Sequence, residues 1–101
     1  MIFIAGDWEQ DRVPFDKAKE HLIDTQKHHQ IYGTANIINS AEVLATMPFL
    51  SYEQQIDVLI QLLSMCDTIY MLKGWEKNND VSLLHDYASA KNYRIIYSKK
   101  F

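Results

Sequence analysis

Cysteine occurs once, proline twice and glycine three times in a chain of 101 residues. A lone thiol, Cys66, excludes an internal disulfide and leaves no second sulfur for a zinc pair, which fits a reducing interior. Repeats, low-complexity tracts and linkers are missing too. No apolar run approaches the roughly 18 residues that span a bilayer, so no membrane partner is expected. The opening Met1-Ile2-Phe3-Ile4-Ala5 is too short for a secretion signal and has no charged leader, so a cytoplasmic protein is expected. Thirteen acidic residues outnumber ten basic ones, giving a net charge of −3. No basic stripe exists to displace counterions from phosphates, which argues against nucleic acid as a partner. Gly6 stands without the further glycines of a dinucleotide fingerprint, and no P-loop lysine or G-x-S-x-G serine occurs. These gaps argue against dehydrogenases, kinases, GTPases and serine hydrolases, and no cofactor is implied.

What remains is 48% apolar and 23% charged, the balance of one globular domain spanning 1–101. Ile2 to Ala5 reads as a strand broken by Gly6-Asp7-Trp8. Pro14 suits a first helical turn, and Phe15, Ala18 and Leu22 follow at helical spacing, predicting a helix over about 14–29. Gly33 opens a segment in which Ala35 to Ile38 is a second strand, with Ser40 as the expected cap of a short helix over 41–46 that Pro48 stops. Ser51 and Gln54 have the form of a capping box at the head of a helix over 52–65. That helix is apolar around more of its girth than one sheet contact uses. The surplus fits either a second copy of the chain, a homodimer through helix 52–65, or deep burial within the monomer.

Thr68 to Leu72 has the near-continuous apolar character of a strand buried on both faces. A helix over about 80–91 and a strand over 93–97 complete the chain. Strands separated by helices predict an α/β fold: an open parallel sheet of four strands in the order 2-1-3-4, three-layered, with helices on both faces. In such sheets ligands bind beyond the carboxyl ends of the strands, where the winding reverses. Gly6-Asp7-Trp8 and Gly74-Trp75-Glu76 are expected to face each other there. Trp8 and Trp75 could sandwich a flat ligand such as a base, or simply close the ends of the core. His21, Asp24 and His28 share one side of the first helix, opposite its apolar face, and so are expected to meet water rather than a metal. His85 and Asp86 are adjacent and point apart on a helix, and Cys66 has little support as a nucleophile.

Leu50-Ser51-Tyr52-Glu53-Gln54 and the run from Cys66-Asp67 through Gly74-Trp75-Glu76 resemble a small bacterial and phage-borne family of unassigned function with a nucleoside 2-deoxyribosyltransferase-like fold. Ile2 to Gly6 and the spacing of Phe15, Ala18 and Leu22 extend the resemblance over nearly the whole chain. It implies a flavodoxin-like sheet and a nucleoside or nucleotide at the switch point, bordered by Gly6, Asp7, Trp8, Asn39, Gly74, Trp75, Glu76 and Asn78. In the enzymes a glutamate attacks the anomeric carbon, as in retaining glycosidases. Matching the family alanine to Ala88 puts Leu84 where that glutamate belongs. Asn78 and Asp80 replace a serine and a glycine, Asp7 replaces a proline, and Ser40 follows Asn39 where the family has another proline. Leucine has no lone pair, so the resemblance implies a member impaired in covalent chemistry. Asp7 or Asp80 remain candidates for a residual N-glycosidase, although Asp80 is equally a helix cap. A third reading is a phage-type inhibitor that binds a host protein through the apolar helix 52–65 or the acidic surface.

Overall fold

The computed structural model describes residues 1–28 and 36–101, the side chains of 26–28 excepted. The expected helix end at His29, the segment start at Gly33 and the strand start at Ala35 lie outside the described residues. β1 (Ile2–Ala5), β2 (Ile37–Asn39), β3 (Thr68–Met71) and β4 (Arg94–Tyr97) form one parallel sheet in the order β2-β1-β3-β4. The register sets Phe3 beside Ile38 and Ile69, and Ile69 beside Ile95. Because side chains alternate along a strand, each apolar strand feeds two cores.

On one face Ile4, Tyr70 and Leu72 pack against Phe15, Ala18 and Leu22 of α1 (Val13–His28). On the other, Phe3, Ala5, Ile69 and Met71 meet Leu44 of α2 (Ser40–Ala45), Leu59 and Leu63 of α3 (Tyr52–Ser64), and Val81, Leu84 and Ala88 of α4 (Asn79–Ala90). Helices thus cover both faces, and the parallel α/β order expected from the alternation of elements is the one observed. The central strands β1 and β3 are nearly continuous apolar runs because both their faces are covered.

The chain winds from β1 outward to β2, then returns past β1 to β3, so the reversal falls between β1 and β3. Gly6 sits there because a side chain does not fit: a Cβ would come within 2.7 Å of Leu72 Cδ1 and 3.1 Å of Leu72 Cβ. Two helix caps differ from expectation. Asn39, not Ser40, caps α2, its side-chain oxygen accepting the N–H of Glu42 at 3.1 Å. Ser40 is the first helical residue, buried, and its hydroxyl donates to the Ile4 carbonyl at 2.6 Å, tying α2 to the end of β1. Asn78, not Asp80, caps α4, accepting from Asp80 N and Val81 N. The capping box of α3 forms as its residues dictate, with Ser51 and Gln54 satisfying each other's backbone N–H. Among the described residues no helix is long and apolar enough to cross a membrane.

Candidate functional site

The loop after β1 is shaped by its own aspartate. Asp7 Oδ1 accepts the N–H of Glu9 at 3.2 Å, a local turn that carries Trp8 toward α3. The indole Nε1 donates to Gln55 Oε1 at 3.0 Å, and the ring stacks on Tyr52 with centroids 5.7 Å apart and planes 18° apart. The Tyr52 hydroxyl in turn donates to Asp80 Oδ2. A line of contacts, Gln55–Trp8–Tyr52–Asp80, therefore binds the loop after β1 to the heads of α3 and α4. Asp80, by accepting this hydrogen bond, pushes the Tyr52 pKa up to about 12; burial and the nearby charges of Asp80, Glu9 and Asp7 act in the same direction.

The loop after β3 behaves differently. Gly74 adopts φ +81°, a left-handed conformation that favours glycine, and a 3-10 turn over Trp75–Lys77 follows. Trp75 stacks on His85 at 4.2 Å between centroids and more loosely on Tyr97 at 6.0 Å. His85 Nε2 meets the Tyr97 hydroxyl at 2.8 Å, while its Nδ1 lies 3.4 Å from an outward-facing Asp86. The two indoles have different stacking partners, Trp8 with Tyr52 of α3 and Trp75 with His85 of α4 and Tyr97 of β4, and both rest on the core beneath α3 and α4.

The remaining expected residues divide in the same way. Asn39 is 3% exposed, its oxygen capping α2 and its amide donating to Asp16 Oδ1 at 2.9 Å. The side-chain oxygen of Asn78 is likewise spent on its cap. Glu76 is exposed on the 3-10 turn. His21 packs edge-on against Phe101, and Asp24 is exposed. Among the described residues no three His, Cys, Asp or Glu side chains converge as a metal set. Cys66 is buried, which pushes its thiol up and away from thiolate chemistry.

What opens at the carboxyl edge of the sheet is a groove of about 360 Å³ on the β2 side of Trp8. Trp8, Glu9, Gln10 and Arg12 line it from the loop after β1, Ala41 and Leu44 from α2, and Gln55 from α3. One indole, two amides, a guanidinium and a carboxylate thus border an apolar floor. Of these only Trp8 stands out in the sequence. Glu9, Gln10 and Arg12 follow it as ordinary loop residues, and Gln55 reads as an exposed helix position. A smaller hollow of about 130 Å³ lies on the α1 face, bordered by Asp7, Asp11, Lys73 and Phe101.

The model of a domain of unknown function, DUF4406, matches residues 3–97, from the second residue of β1 to the last of β4. The chain belongs to the DUF4406 family. No curated protein and no solved structure matches it. In this DUF4406 chain, Leu84 is a core residue. Leu84 is 2% exposed, packed with Val81 and Ala88 against Ile69 and Met71 of β3. Asp7 and Asp80 each already accept a hydrogen bond, from Glu9 N–H and from Tyr52 respectively.

Proposed function

We propose that this DUF4406 chain binds a nucleoside or nucleotide on a nucleoside 2-deoxyribosyltransferase-like scaffold and does not carry out the covalent chemistry of those enzymes. The observation that carries the reading is the groove beside Trp8. It lies at the carboxyl edge of a parallel sheet, where such folds take ligands, and its volume of about 360 Å³ suits a small molecule. The Trp8 ring offers apolar surface to a base, Gln10 offers a donor and an acceptor, Gln55 offers its amide N–H groups, and Arg12 offers a cation to a phosphate.

Catalytic impairment is supported by Leu84, which has no lone pair and is buried in the core. A residual N-glycosidase using Asp7 or Asp80 gains little, because both carboxylates serve as acceptors that hold the loop and the helix heads in place. A thermal-shift series with deoxynucleosides, ribonucleosides and their monophosphates tests the binding reading. A ligand at about 100 times its Kd adds roughly 2.7 kcal/mol of stability, and Arg12→Gln should weaken the response to the phosphorylated members only. No stabilisation by any member of the series would remove the reading. Release of free base during the same incubation would restore the glycosidase.

A further inference from the structure

We infer that the outer face shared by α3 and α4 is a docking surface for a basic amphipathic helix of another protein. The Tyr52–Asp80 hydrogen bond fixes which flanks of the two helices face each other. On α3, residues spaced by four share a side, so Ile56 and Ile60 continue the side begun by Tyr52. On α4, Leu83 and Tyr87 stand three and seven residues after Asp80 and continue its side. The opposite flank of α3 is accounted for by Gln55, which reaches Trp8 and the groove beside α2. A seam of Tyr52, Ile56, Ile60, Leu83 and Tyr87 therefore follows the line where the two helices meet. Leu83 is 57% exposed, and Tyr52 and Ile60 more than a third.

The rims of this seam carry charge of one sign. Between them α3 and α4 hold Glu53, Asp57, Asp80 and Asp86, and neither contains a lysine or arginine. Glu53 and Asp57 follow the outer side of α3, and Asp86 lies on the outer side of α4. Among the described residues none of these three is paired with a lysine or arginine. Lys91, just past the end of α4, lies over the Tyr87 ring.

An apolar seam between acidic rims is the complement of a helix whose apolar stripe is flanked by lysine or arginine, the helix-in-groove mode of recognition. A second copy of the chain fits less well, since face-to-face pairing would set Asp57 and Asp86 of one copy close to the same carboxylates of the other. This surface meets the groove beside Trp8 at Tyr52, and the variants below leave Tyr52 and Trp8 unchanged, so the inference is tested apart from the nucleoside reading.

The probe is an acetylated, amidated peptide of about 16 residues with leucine at helical i, i+3, i+4, i+7 spacing and lysine elsewhere. Its binding is followed by fluorescence anisotropy at physiological salt. The wild-type chain is expected to bind it and to sediment alone as a monomer. Ile60→Ser with Leu83→Ser, both at exposed positions, should weaken binding at least tenfold while leaving the melting curve in place. Neutralising the rims with Glu53→Gln, Asp57→Asn and Asp86→Asn should weaken it similarly, and Glu20→Gln with Asp24→Asn on α1 should not. Equal binding by the Ile60/Leu83 variant, or an equal loss from the α1 variant, would mean general attraction to an acidic protein and would overturn the proposal. A wild-type dimer that the Ile60/Leu83 variant converts to monomer would assign the surface to a second copy instead.

Discussion

Gly6 and Tyr52 carry the most at the scale of single residues. Gly6 is the contact between the loop after β1 and Leu72, and a methyl group there would collide at 2.7 Å with a buried side chain. Gly6→Ala is therefore expected to destabilise the fold by about 1–3 kcal/mol, an overpacking cost read from the urea midpoint. Tyr52 makes a pH prediction. Its neutral hydroxyl is held by Asp80, so its folded pKa of about 12 lies above the ordinary 10.0. The contribution of this bond to stability is complete below pH 10 and disappears as pH rises through the folded value. Ultraviolet titration of tyrosinate should show a late component near pH 12 that Tyr52→Phe removes and that Asp80→Ala moves toward the ordinary range.

At the scale of elements, caps decide where helices begin. Asn78→Ala removes the acceptor for two N–H groups at the head of α4 and should cost about 0.5–2 kcal/mol in thermal or urea unfolding. Asp80→Ala leaves that cap intact and should cost less. The two asparagine caps also show where reading residues in order stops short. Ser40 and Asp80 are good capping types, but each lies one or two residues inside its helix, and boundaries on that scale are not encoded by residue type alone. The strands were legible, because a parallel sheet with both faces covered needs continuous apolar runs, and Thr68 to Met71 has one. So was the capping box of α3, whose two partners are three residues apart and need no tertiary context. The partners of Trp8 and Trp75 were not legible. Two tryptophans at equivalent strand ends look alike in sequence, and only the direction each side chain takes assigns one to Tyr52 and Gln55 and the other to His85. The groove was half legible. Its place at the carboxyl edge follows from topology, but its polar lining comes from Gln10, Arg12 and Gln55, which carry no periodicity or motif.

For the whole molecule, the proposal is that a nucleoside-enzyme-like scaffold binds its ligand without the covalent chemistry. Leu84 is where it can be tested, since it belongs to the core that joins α4 to β3. Leu84→Glu would place a carboxylate among apolar side chains and is expected to cost roughly 3–5 kcal/mol, the penalty of an unpaired buried charge. It should lower the urea midpoint sharply and yield no free base from deoxynucleosides. A variant that kept its stability and released base would show that the core around Leu84 still has an opening to the sheet edge.

The most direct test of the central claim is a titration of the isotope-labelled protein with a deoxynucleoside monophosphate, followed by amide chemical shifts. Saturating shifts at Trp8, Gln10, Arg12, Ala41 and Gln55, with the nucleotide recovered intact, are the predicted result. Shifts confined to the Trp75–His85–Tyr97 cluster, or no saturating shifts at all, would contradict it.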